Sequence, residues 1–241
     1  MSVPEVIAHR GLTSRYAENT LDAFAAAVAT GADGIELDVR ASADNVLVVH
    51  HDSVLSPQSG FGPSSTIRSL RFAELRNEIV GGENVPTLDE VLRLIAGTVK
   101  VYVEVKAPDI EAVVCQALSG RESWCALHSF DHRIIAKAHD LAPIVPRGVL
   151  LSSYLVDPLG PLRDTSARDL WQQWELIDSE LIGRVHAYGS RVIAWTVDDM
   201  DAARSLIAWG VDAICTDRCD EMLSLVGRSR PLHISSRQVA P

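Results

Sequence analysis

The chain is poor in aromatic residues: Phe, Trp and Tyr make up 5% of 241 residues, against a hydrophobic content of 47%. Its core must therefore be built mainly from aliphatic side chains, and a chain of this length supplies enough of them for one well-buried domain. No apolar run approaches the roughly 18 residues of a membrane span, and residues 1–5 lead straight into a strand-like segment with no basic-then-apolar leader. The expectation is a soluble, cytoplasmic protein with no integral membrane segment. No Lys/Arg cluster interrupts a formal charge of −10, which excludes a general nucleic-acid surface while leaving room for a local positive pocket that holds one phosphate. Cysteine is also scarce. Cys115, Cys125, Cys215 and Cys219 form no Cys-x-x-Cys pair, and the last two, four apart, have no second pair to complete a zinc site, so all four read as reduced thiols.

Against these absences stands a regular alternation of short β-type runs with helical ones. Strands are expected at residues 6–8, 34–39, 46–50, 99–105, 125–130, 145–151, 174–177, 192–197 and 213–215. Helices are expected at 21–30, 88–95, 110–118, 134–141, 181–188 and 202–209. Asn19 or Thr20 can cap the first helix, Thr87 follows Pro86 before the second, and Gly31 and Gly189 close two others. A rhythm of roughly eight strand–helix units, without internal repeats, predicts a closed parallel barrel of α/β class, a single TIM (β/α)8 barrel spanning residues 1–227. Two segments break the rhythm. Residues 53–66, rich in Ser, Gly and Pro, read as a short loop insertion after the second barrel strand, and residues 152–161 read as a second loop. Residues 228–241 complete no further unit and read as a peripheral or disordered tail.

Chemistry is concentrated early in the chain, in Ile7-Ala8-His9-Arg10-Gly11, Glu18-Asn19-Thr20, Glu36-Leu37-Asp38 and His51-Asp52. Side chains alternate along a strand, so Glu36 and Asp38 share one side while Ile35, Leu37 and Val39 share the other. The same spacing puts Glu104 and Lys106 on one face, opposite Val101, Val103 and Val105. Like charges side by side in a mostly buried setting call for a cation, and oxygen donors favour a hard divalent ion, Mg²⁺ or Ca²⁺. His9, Glu36, Asp38, Glu104, Lys106, Trp195 and Asp217 all fall late in their strands, where a barrel gathers its active site. The other histidines, His50, His128, His132, His139, His186 and His233, read as packing or solvent-facing, and Trp124, Trp171, Trp174 and Trp209 read as packing.

The ordered set of His9-Arg10-Gly11, Glu18-Asn19-Thr20, Glu36-Leu37-Asp38-Val39, His51-Asp52, Pro86-Thr87-Leu88, Glu104-Val105-Lys106, Ser129-Phe130, Trp195-Thr196-Val197, Gly210-Val211-Asp212 and Thr216-Asp217 resembles the glycerophosphodiester phosphodiesterase family. The resemblance runs through nearly the whole chain. It implies a TIM barrel, a divalent cation on Glu36, Asp38 and Glu104, and His9 and His51 as an acid/base pair. It also implies a phosphate grip by Arg10 and Lys106 and a substrate pocket lined by Trp195, with Glu18, Asn19 and Asp217 in support. The reaction it implies is metal-dependent hydrolysis of a small glycerophosphodiester to glycerol 3-phosphate and an alcohol, with His51 as the preferred proton donor and His9 as the acceptor. One departure stands out. After His51-Asp52 many members continue with an arginine and threonines, whereas Ser53-Val54-Leu55-Ser56-Pro57-Gln58 carries no such arginine. The loop that often shapes head-group choice is therefore altered. The readings left open beside hydrolysis are a phosphodiester lyase that ends at a cyclic phosphate, a non-catalytic phosphodiester-binding barrel, and a metal-dependent barrel enzyme of aldolase or isomerase type.

Overall fold

The computed structural model describes residues 3–55, 65–76, 79–80 and 82–228. Eight parallel strands close into a barrel: β1 (Glu5–His9), β2 (Gly34–Ala41), β6 (Lys100–Val105), β7 (Cys125–Ser129), β8 (Arg147–Leu151), β9 (Asp169–Gln173), β10 (Arg191–Trp195) and β11 (Ala213–Thr216). Closure is made by β1, which pairs with β11 on one side and with β2 on the other. The helices α1 (Leu21–Thr30), α3 (Leu88–Ile95), α4 (Glu111–Leu118), α5 (His132–Leu141), α6 (Gly160–Thr165), α7 (Ser179–Ala187), α8 (Met200–Trp209) and α9 (Cys219–Leu225) follow the strands in turn.

Strand alternation sorts the core into two shells. Outward residues such as Val6, Ala8, Ile35, Leu37, Val101, Val103 and Leu127 pack under the helices in one continuous aliphatic layer. Inward residues Ile7, Tyr102, Ala126, Leu150, Trp171, Ile193, Ala213 and Cys215 fill the barrel's waist. Few aromatics are needed because the waist is narrow, and the two that enter it, Tyr102 and Trp171, meet edge-on at 5.3 Å. Gly148 makes room for Trp171: a Cβ there would lie 2.6 Å from the indole.

The caps follow local chemistry. The Thr20 hydroxyl accepts from Ala23 N at the start of α1, and Gly31 closes the helix at φ 100°. Thr87 and Glu90 form a reciprocal capping box on α3.

The excursion after β2 occupies residues 42–87. It carries β3 (Leu47–Val49), antiparallel to β2, the short α2 (Phe72–Leu75), and a hairpin of β4 (Ile79–Val80) and β5 (Glu83–Asn84). Its own small core of Val48, Leu55, Ile67, Leu70, Leu75 and Val85 holds it together. Most of the loop expected at 53–66 lies outside the described residues.

Two expected elements are placed differently, and α2, the β4–β5 hairpin and α9 fall where no element was expected. The strand expected at 174–177 is a single 3-10 turn, and the barrel strand lies earlier, at Asp169–Gln173. The loop expected at 152–161 runs into α6, whose Pro161 sits in the first helical turn, where its missing N–H is no loss. The tail expected at 228–241 lies outside the described residues except for Arg228. That side chain bonds both oxygens of Asp33, at 2.7 and 2.8 Å, and the Pro4 carbonyl. Among the described residues no helix is long and apolar enough to cross a membrane.

Candidate active site

A cavity of about 130 Å³ opens at the C-terminal ends of the strands, lined by His9, Arg10, Glu36, His51, Glu104, Lys106, His128, Phe130, Trp171 and Trp195 among others. Strand register brings these residues together. His9 is paired with Glu36 across β1 and β2, Asp38 with Glu104 across β2 and β6, and Glu104 with His128 across β6 and β7.

The turn after β1 begins the site. Arg10 at φ 57° and Gly11 at φ 95° swing the chain over α1, and a Cβ on Gly11 would lie 2.7 Å from that of Ala23, so only glycine fits there. The turn aims the Arg10 guanidinium between two carboxylates, with Nη1 2.7 Å from Glu18 Oε2 and Nε 3.0 Å from Asp38 Oδ2. Asn19, also left-handed at φ 59°, donates its backbone N–H to the Arg10 carbonyl and its amide to Asp38 Oδ2 at 2.9 Å. Glu18-Asn19-Thr20 is thus a brace: one residue holds Arg10, the next holds Asp38, and the third caps α1.

Asp38 is fully buried and well attended, since Lys106 Nζ reaches its Oδ1 at 3.2 Å and Glu104 Oε1 at 2.9 Å. Burial works to raise its pKa, yet Lys106, Arg10 and Asn19 together hold the carboxyl below its usual value. Glu36 is the opposite case. It is 2% exposed, and neither of its oxygens has a hydrogen-bond partner. Burial, then the neighbouring Asp38 charge, push its pKa up to about 7. Burial and Glu36 likewise raise that of Glu104.

Both expected histidines carry a carboxylate on Nδ1. His9 Nδ1 lies 2.8 Å from Asp217 Oδ1, and its Nε2 faces Glu36 Oε2 at 4.0 Å. Burial alone would depress the imidazole, but the Asp217 bond and the Glu36 charge outweigh it and leave the pKa raised. Asp217 is itself fixed, because its backbone N–H and the Thr216 hydroxyl both donate to Asp198 Oδ1 at 2.9 Å. His51 Nδ1 lies 2.8 Å from Asp52 Oδ1, and the His51 carbonyl accepts from Arg40 Nε at 2.9 Å. On the opposite wall Phe130 meets Trp195 edge-on at 5.3 Å, and Trp195 Nε1 is a buried donor without a partner.

Two residues read as simple packing also face this cavity. His128 stacks on Trp171, with centroids 4.1 Å apart and planes 9° from parallel, and turns Nε2 toward Glu36 Oε1 at 3.6 Å. Burial pushes its pKa down to about 4, which keeps the ring neutral. Glu36, Glu104 and His128 each offer one ligand atom, all within 4.8 Å of one another. The sequence signal for His128 was present: two residues before Phe130 and in step with Ala126, it falls on the inward face of β7.

A closed barrel with a carboxylate cluster, paired cations and two carboxylate-backed imidazoles at its mouth defines a TIM-barrel enzyme that works on a small anionic substrate. Residues 9–221 match the glycerophosphoryl diester phosphodiesterase family, and the chain belongs to it. It is similar to a glycerophosphodiester phosphodiesterase of Caldanaerobacter subterraneus, 33% identical over 235 residues that cover 92% of this chain and 97% of the relative. Among solved structures it resembles an Oleispira antarctica phosphodiesterase in complex with the product sn-glycerol-3-phosphate. The identity is 26% and the TM-score 0.84, covering 93% of this chain and 97% of that one. A glycerophosphodiester phosphodiesterase of Agrobacterium tumefaciens gives 27% identity and a TM-score of 0.82, covering 92% and 99%.

Proposed function

We propose that this protein hydrolyses a water-soluble glycerophosphodiester to sn-glycerol 3-phosphate and an alcohol. In this reading Glu36, Asp38 and Glu104 hold a divalent cation, Mg²⁺ or Ca²⁺, and His9 and His51 carry the protons. The observation that supports it most is Glu36, whose two buried oxygens have no hydrogen-bond partner. An unpaired buried carboxylate beside Glu104 and Asp38 is costly unless a cation completes the set, and oxygen donors suit these hard ions. Such an ion, when bound, offsets the carboxylates and polarises a nonbridging phosphate oxygen.

The chain's own groups do the remainder. Arg10 and Lys106 line the cavity and counter the charge that builds on the phosphoryl oxygens. Asp217 accepts from His9 Nδ1 and so presents Nε2 as the acceptor for a proton of the attacking water, whose oxygen forms the new bond to phosphorus. His51, backed by Asp52, donates a proton to the departing alcohol oxygen as its bond to phosphorus breaks. The unpartnered Trp195 Nε1 is a donor available to a substrate oxygen, and the Trp195–Phe130 wall covers the apolar part of the substrate.

Phosphorus NMR of the metal-stripped protein with glycerophosphocholine tests this. A glycerol 3-phosphate resonance that appears only with an added divalent cation is expected, Mg²⁺ and Ca²⁺ being tried first. Unchanged spectra for the choline, ethanolamine and inositol diesters would refute it, and a cyclic phosphate as the final product would make the protein a lyase.

A further inference from the structure

His128 has no role in the reaction just described, yet its surroundings are not those of a packing residue. It is 1% exposed on the inward face of β7, opposite Glu104 in register. Its Nδ1 is buried with no hydrogen-bond partner, and Nε2 lies 3.6 Å from Glu36 Oε1, beyond hydrogen-bond reach. A histidine kept for packing alone would be paired or replaced by an apolar side chain. What fixes the ring is the Trp171 indole stacked on it, and that indole fits only because Gly148 has no Cβ. Three consecutive strands therefore cooperate to hold one imidazole beside two carboxylates, with one ligand atom of each of the three residues within 4.8 Å of the others.

We infer that His128 supplies a nitrogen ligand to the cation shared by Glu36 and Glu104, and that this donor turns the site's preference from Mg²⁺ and Ca²⁺ toward borderline first-row ions such as Co²⁺ and Zn²⁺. The inference rests on the reading above that the site holds a cation, and it revises the identity of that ion. Oxygen-only sites suit hard cations, whereas an imidazole adds the donor that later first-row ions favour. The neutral ring also adds no charge to a crowded set of carboxylates.

Electron spin-echo spectroscopy of the metal-stripped protein loaded with Mn²⁺ as a probe tests the ligand directly, because a coordinated imidazole imprints ¹⁴N modulation. The signal is expected in the wild type and should vanish in His128→Gln while Mn²⁺ still binds. His9 is the other imidazole near Glu36, so a nitrogen signal that survives His128→Gln would assign the ligand to His9 and overturn the inference. So would bound Mn²⁺ with no nitrogen modulation in the wild type, which would leave the cation-site reading intact. Failure of the wild type to bind Mn²⁺, Co²⁺ or Ca²⁺ would remove both. In calorimetric titrations, His128→Gln should lower Co²⁺ affinity by about tenfold or more relative to Ca²⁺. An unchanged ratio would contradict the claimed preference.

Discussion

The two ends of this barrel carry the same kinds of charge and treat them in opposite ways. At the N-terminal end Glu5 accepts from Lys100, from the Tyr102 hydroxyl at 2.9 Å and from Arg191 at 3.0 Å, while Asp169 takes two bonds from Arg168 at 2.6 and 2.8 Å. Both of these anions have cations of their own, and the pKa of Glu5 is held down despite burial. At the C-terminal end Arg10 and Lys106 converge on Asp38, and Glu36 is left with two bare oxygens and a raised pKa. Completed networks specify and stiffen a fold. A buried carboxylate without such partners carries a perturbed pKa and costs stability where it stands.

The contrast can be broken first at the open end. Glu36→Gln should lower the rate of diester hydrolysis by on the order of 10²–10³-fold, read as glycerol 3-phosphate release. Replacing His9 or His51 by Ala should each lose on the order of 10²-fold or more in turnover, and near-wild-type rates in both would remove the acid/base pair. Asp217→Asn sharpens the point without deleting the imidazole. Asp217 is part of what raises the His9 pKa, so the limb of the pH–rate profile that His9 governs should move to lower pH.

The closed end should respond in stability rather than chemistry. Arg191→Met strips a partner from Glu5 and from buried Asp169, and a loss of about 3 kcal/mol in denaturant unfolding is expected, with a much smaller change in turnover than at Glu36. Smallest of all should be Arg204→Ala, which removes an exposed ion pair with Asp201 on α8 and should shift stability by under about 1 kcal/mol.

Stability should also depend on pH with a sign that belongs to Glu36. Its folded pKa of about 7 lies above the ordinary 4.5. The folded state therefore binds the proton more tightly, and the contribution is full below the unfolded value and lost as pH rises through the folded one. His128, shifted down to about 4, pulls the other way, since a buried neutral ring is stabilising only once pH rises toward its unfolded value. The two are separated by difference: the stability of metal-free Glu36→Gln minus that of wild type should grow as pH climbs from 4.5 to 7.

Much of this was legible because barrel strands advertise themselves by alternation. β2 and β6 show it plainly, with aliphatic residues outward and carboxylates inward, and the cluster at their ends could be drawn before any coordinates. β9 was hidden for a physical reason. Asp169-Leu170-Trp171-Gln172-Gln173 buries an aspartate and a glutamine, because Arg168 and Arg191 neutralise the first and the carbonyls of Leu151 and Ser153 accept from the second. Apart from the adjacent Arg168, those partners lie on the neighbouring strands or just beside them, where no local pattern shows them. The more apolar residues just after β9 drew the expectation to what is a 3-10 turn. Proline disguised α6 in the same way, since a residue that breaks a helix interior is welcome in its first turn. His128 was passed over because a single strand-borne histidine is usually structural. Its position on the inward face was readable, but its distance from Glu36 depends on how three strands are registered.

At the open end the Glu36 carboxylate is left without a hydrogen-bond partner, and we propose that a divalent cation serves there as its counter-charge. Thermal melting of the metal-stripped protein at pH 7, with and without a divalent cation, tests it most directly in wild type and Glu36→Gln. The account predicts that a cation at 100 times its dissociation constant stabilises the wild type by about 2.7 kcal/mol. It also predicts that Glu36→Gln melts at or above the metal-free wild type and no longer responds to the ion. A wild type indifferent to Mg²⁺, Ca²⁺ and Co²⁺, or a Glu36→Gln variant less stable than the metal-free wild type, would contradict it.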